Sequence, residues 1–119
     1  MSETAPEGFA GWAVAAETPD RIHLKHDDGR TLGIRVMDMA DMLDLMEAAG
    51  PVSSNQAWMN LAIPAVSVDE INGDPVPVPK TKDAIRLTTR KLGNERMAAI
   101  IWALFQRKPP AADMEVAKN

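Results

Sequence analysis

The sequence predicts an α+β fold: an N-terminal β-hairpin, widened by a third strand into a small sheet, followed by a mainly α-helical domain of about four helices. Two observations carry this. Residues 21–36 alternate apolar and polar side chains around an Asp-Asp-Gly turn signal. From Asp38 onward apolar residues recur at helical spacing in segments closed by Gly or Pro. The chain has 119 residues, enough for one domain. The expected organisation is a flexible N-terminus over 1–8, one globular domain over 9–108 and a flexible tail over 109–119. Within the domain the hairpin takes 21–36 and the helices 38–107.

In the hairpin, Ile22 and Leu24 share one face, His23 and Lys25 the other, and Leu32, Ile34 and Val36 alternate after the turn. An isolated hairpin is marginal in water, so its apolar face must be covered, and Phe9 to Val14 is the obvious third strand. Asp38 then reads as an N-cap with Asp41 at the positive end of a helix. Met39, Met42, Leu43 and Met46 form its apolar stripe, and Gly50-Pro51 ends it. In the next segment Ser53 and Gln56 have capping-box spacing, and Trp58, Leu61, Ala62, Ala65 and Val66 recur helically. Pro64 should kink or break this helix, because proline lacks an N–H and clashes with the carbonyl four residues back. Ile71-Asn72-Gly73-Asp74 reads as a turn, and Pro75, Pro77 and Pro79 as an extended surface strap presenting Val76 and Val78. Thr81 caps a helix that Gly93 ends. Asn94 caps the last helix, which carries one stripe of Met97, Ile100, Ile101 and Leu104 and a second of Trp102 and Phe105. A terminal helix apolar on two sides needs burial on two sides, so a homo-oligomer is expected.

Composition excludes several function classes. The net charge is −4, with no basic footprint for nucleic acid. No cysteine is present, so thiolate metal sites and disulfides are excluded. No apolar run reaches bilayer-spanning length, and Met1 to Pro6 is too polar for a signal peptide, so no membrane partner is expected and the default location is the cytosol. His23 and His26 have H-x-x-H spacing, but on a strand an odd separation sends the two imidazoles to opposite faces, which argues against a metal. Asp41, Asp44 and Glu47 read as a solvated helix face rather than acid–base machinery, and Arg86, Arg90 and Lys91 as a small basic face near a helix end. No nucleophile or phosphate-binding motif occurs, so the reading is non-enzymatic, with no cofactor.

One order of motifs is more specific. A D-x-G-R turn (Asp27 to Arg30) precedes a Leu/Met-rich helix ending in A-x-G-P (Ala48 to Pro51). Then follow S-x-N-x-x-W-M (Ser53 to Met59), I-N-G-x-P-V-P-x-P (Ile71 to Pro79), a helix ending in Leu92-Gly93, and a last apolar helix. Over about residues 20–105 this resembles the small tail assembly chaperones of long-tailed bacteriophages and prophages. Pro64 departs from the family pattern, whose second helix has fewer internal prolines.

The resemblance implies a non-enzymatic protein of the host cytoplasm, absent from the finished virion, that coats the apolar, helical tape measure protein until the tail tube polymerises around it. The residues suit that role, since Met-rich surfaces re-pack around varied helices. The candidate partner or oligomer contacts are Met39, Met42, Met46, Trp58, Val76, Val78, Ile101, Trp102 and Phe105. The alternative is a small structural virion subunit, of the tail or of head completion.

Overall fold

The computed structural model describes residues 8–106; expectations for 1–7 and 107–119, including the C-terminal tail, lie outside the described residues. Six strands form one antiparallel sheet in sequence order: β1 (Gly8–Phe9), β2 (Trp12–Glu17), β3 (Arg21–His26), β4 (Thr31–Arg35), β5 (Val68–Ile71) and β6 (Asp74–Pro75). Two helices, α1 (Met39–Ala49) and α2 (Gln56–Ser67), interrupt it between β4 and β5, joined by a 310 turn over Gly50–Ser54. The third, α3 (Lys82–Gln106), follows the sheet.

This corrects the expected fold class. In place of an N-terminal hairpin or three-stranded sheet with about four helices, the described residues form a six-stranded sheet and three α-helices. Short turns at positive φ account for the extra strands. Ala10 (φ 52°) and Gly11 (φ 91°) close a two-residue turn that splits the expected third strand into β1 and β2. Asn72 (φ 52°) and Gly73 (φ 89°) do the same between β5 and β6, so the Asn-Gly turn joins two strands rather than a helix and a strap. The sheet ladder reaches into the strap, where the Val76 N–H donates to the Asp69 carbonyl at 2.9 Å. On the helical side, Gly93 ends the Thr81 helix at a non-helical φ 80°, ψ 168°, as expected, and the last helix follows it directly, so the two are joined as the bent α3.

The ends of α1 follow local chemistry. Asp38 accepts from the Asp41 N–H at 2.8 Å, the Asp41 carboxylate accepts from the Asp38 N–H at 3.0 Å, and Gly50 stops the helix at φ 66°. In α2 the cap differs from the Ser53–Gln56 expectation. Asn55 is the N-cap, accepting from the Trp58 N–H at 3.0 Å, while Ser53 lies in the 310 turn. Of the kink or break expected at Pro64, the break does not occur: α2 continues to Ser67 with Pro64 buried inside it. The Thr81 cap forms, its hydroxyl accepting from the Ala84 N–H at 3.1 Å.

Two hydrophobic clusters result. Trp12, Ile22, Leu24, Leu32, Ile34, Val68 and Ile71 of the sheet pack against Ala65 of α2 and Leu92, Met97, Ala99, Ile100 and Ala103 of α3. A second core lies among the helices and holds Leu45, Ala49, Met59, Ala62, Val66 and Ile85. Each fully buried Leu or Ile contributes about 1.5–3 kcal/mol. Both clusters use α2, which turns Ala65 to the sheet and Ala62 and Val66 to its fellow helices.

Candidate partner-binding surfaces

Burying Leu45 and Ala49 fixes which way α1 faces. Met39, Leu43 and Met46, at i, i+4 and i+7, are left 84%, 67% and 45% exposed in one row, while Met42 turns half-buried onto the helical core. Asp41, Asp44 and Glu47 lie off this row, Glu47 nearest to it at one turn after Leu43, and α1 carries no Lys or Arg. They line a cleft of about 480 Å³ between α1 and the strap, whose other walls include Arg35, Met37, Val66, Val78, Pro79 and Lys80. Arg35 pairs with Asp41 at 2.6 Å. The Asp38 N–H first, and then Arg35, hold the Asp41 carboxyl below the usual carboxylate range. Asp44 and Glu47 form no ion pair among the described residues.

The other sequence candidates scatter. Trp58 is half-buried on the helical core and lines a groove with Leu61, Ala62, Ile85, Arg86, Thr89 and Arg90. Val76 packs on the sheet core, whereas Val78 is exposed in the α1 cleft. Ile101 and Trp102 are half-buried, and the Trp102 ring stacks on Phe9 with centroids 5.8 Å apart. Phe105, at the end of α3, is 81% exposed. Of these candidates only Met39 and Met46 therefore share a face; Val78 lies in the cleft with Asp41, Asp44 and Glu47, and Trp58 and the α3 residues belong to other surfaces. Leu61, which the sequence puts on the apolar stripe of α2, is exposed instead, and so is Leu87, which lies on no predicted stripe. Sequence reasoning also missed the cleft, which exists only once the strap folds back beside α1.

Comparison of the chain with family models, curated proteins and solved structures returns no match.

Two polar networks hold the sheet behind these surfaces. On its outer face the Arg21 guanidinium bonds Asp69 (Nε to Oδ2 3.1 Å, Nη2 to Oδ1 2.5 Å) and Glu70 (3.3 Å), and Nη1 contacts His23. Asp69 is the extra residue of a β-bulge opposite Gly33–Ile34. The pairing with Asp69 raises the Arg21 pKa above its ordinary value. At the hairpin tip, Arg30 stands 5.2 Å over the Trp12 ring, bonds Asp28 at 2.8 Å and reaches Glu95 of α3 at 3.0 Å. Arg30 is the main cause that holds the Glu95 carboxyl below its usual range, with smaller help from the Trp12 indole and His26. The buried Trp12 N–H lies outside normal hydrogen-bond geometry to every described acceptor, so its effect on Glu95 is one of proximity.

His26 lies edge-on to Trp12, with centroids 5.0 Å apart, while His23 lies on the outer face against Arg21. The two imidazoles diverge as the strand spacing requires. Among the described residues no cluster of His, Asp and Glu has metal-site geometry, and no helix is long and apolar enough to cross a membrane.

Proposed function

We propose that this chain is a phage tail assembly chaperone that holds the tape measure protein in the host cytoplasm, without enzymatic activity. The observation that carries the reading is the exposed row of Met39, Leu43 and Met46 on α1. A well-packed small domain has no internal use for two flexible thioethers and a leucine in solvent, whereas a holder of varied apolar helices does. The order of motifs from Asp27 to Gly93 supports the same reading. The acidic flank beside the row, and the net charge of −4, favour solubility of a coated filament.

Co-expression with a tape measure protein is the test. The chain should shift that protein from the pellet to the soluble fraction, and Met39→Ser with Leu43→Ser should abolish the shift while leaving the fold intact. Equal precipitation with and without the chain sinks the proposal. Stoichiometric recovery of the chain in purified particles would favour a structural virion subunit instead.

A further inference from the structure

We infer that the exposed face of α1 is built for a cationic amphipathic helix. Apolar side chains of the partner lie along Met39, Leu43 and Met46, and its Lys or Arg side chains reach over one flank to Asp44 and Glu47. The inference rests on the chaperone reading and names the chemistry of the segment held.

Geometry sets the length and shape of the partner. Three positions at i, i+4 and i+7 cover about 10 Å of helix at 1.5 Å per residue, so they match two turns of a partner with the same spacing. The row is one-sided. Glu47 follows Leu43 by one turn and borders the row, and Asp44 lies further round the same side, where both line the cleft with Asp41. A helix lying on the row would therefore have one edge over carboxylates.

Charge decides what that edge carries. Asp41 is already matched, by Arg35 at 2.6 Å and the Asp38 N–H at 3.0 Å. Asp44 and Glu47 are exposed and without an ion pair among the described residues. Lys80 stands on the far wall of the cleft, beside Val78 and Pro79, and leaves the cleft lining with three carboxylates against two cations, Arg35 and Lys80. A second copy of this chain is the poorer occupant. Pairing α1 with α1 would bring Asp44 and Glu47 against their own equivalents, with no cation on the helix to offset them. Because the charged groups are exposed, they contribute modest, salt-screened affinity and fix register, while the apolar row supplies the bulk.

The test uses the intact chain and two synthetic helical peptides that share an apolar face and differ only in flank, Lys/Arg in one and Glu in the other. Fluorescence anisotropy at low and high ionic strength reads the affinities. The Lys/Arg peptide should bind about ten-fold or more tighter than the Glu peptide and weaken as salt rises. Leu43→Ser should remove its binding, and Asp44→Asn with Glu47→Gln should weaken it roughly three- to ten-fold. These positions are exposed, so unchanged circular dichroism certifies the variants. Equal binding of both peptides, or binding indifferent to Leu43→Ser, overturns the inference. So does a Leu43→Ser variant whose only change is a smaller mass in light scattering, which would assign the face to a second copy. The solubility assay separates this from the chaperone reading. If the Asp44→Asn, Glu47→Gln variant and the wild type solubilise the tape measure protein equally, and neither peptide is preferred, only the cationic inference falls. If the Lys/Arg peptide binds as expected while the tape measure protein precipitates regardless, the surface stands and the chaperone reading falls.

Discussion

Gly33 shows how one missing methyl holds a network together. A Cβ there would lie 2.5 Å from Arg21 Nη2, 2.8 Å from Asp69 Oδ1 and 3.0 Å from Glu70 Cβ. Gly33→Ala should therefore push the guanidinium off Asp69 and destabilise the fold by about 1–3 kcal/mol, measured by urea unfolding. In an Arg21→Ala background the same change should cost less, because its nearest obstacle is gone, and that non-additivity is the diagnostic. Additive losses would mean that the strand, and not the ion pair, feels the methyl. Acid titration probes the carboxylates. Asp28, Asp41 and Glu95 are all held below their ordinary range, by the Arg30 backbone N–H, the Asp38 N–H and the Arg30 guanidinium respectively. Above the ordinary range they are ionised in both folded and unfolded chains, and their stabilisation is complete. As pH falls below about 4–5 the unfolded chain takes up protons first, so the urea midpoint should be flat near neutrality and drop progressively in acid. A midpoint that rises on acidification would contradict these assignments. Residue chemistry of this kind was legible only where partners are near in sequence. The Asp38–Asp41 capping box was half-visible as an N-cap with a charge behind it. Arg21 meets Asp69 and Arg30 meets Glu95 across 48 and 65 positions, and no local pattern marks either pair.

Among the elements, the strands hardest to see were those whose alternation is interrupted. Val68-Asp69-Glu70-Ile71 has two intervening polar residues between apolar ends, which spoils a period of two. The bulge at Asp69 restores it in space, placing both Val68 and Ile71 in the core against β4. Pro64 acts in the other direction: its ring and missing N–H predict a kink or a break, and α2 runs through it unbroken with the ring buried. The hairpin over 21–36 was legible because its turn, alternation and length agree, and α1 because both of its caps are local. The bend at Gly93 is the element-scale feature most open to test. At φ 80° and ψ 168° it occupies a region that is essentially glycine-only, although a Cβ would touch nothing there. Replacing Gly93 by Ala or by Asn should cost about 1–3 kcal/mol of backbone strain in either case, read as a drop in the urea midpoint. Tolerance of Asn but not Ala would show instead an ordinary left-handed helix end.

At the scale of the molecule, the bend lets one helix serve two cores: Ile85 before it packs with α1 and α2, and Met97, Ile100 and Ala103 after it cover the sheet. Among the described residues the large apolar side chains left in solvent are the α1 row, Leu61 of α2, Val78 of the strap, Leu87 in the first half of α3 and Phe105 at its end, so Phe105 lies on a surface separate from the α1 row. The sequence placed Trp102 and Phe105 together on a second stripe of the terminal helix, but the fold parts them. Trp102 stacks on Phe9 at 5.8 Å and is half-buried, while Phe105 projects 81% exposed. The two substitutions should therefore behave differently. Trp102→Asp places a charge at the margin of the sheet core and should lower the unfolding midpoint whatever the oligomeric state. Phe105→Ser removes an exposed ring, so it should change monomer stability by no more than about 0.5 kcal/mol. If α3 carries the homo-oligomer contact, the same change should reduce the mass seen by light scattering at high concentration, because a ring buried between subunits is the kind of anchor on which such contacts depend. An unchanged mass for Phe105→Ser, with wild type still oligomeric, would remove the end of α3 from the interface.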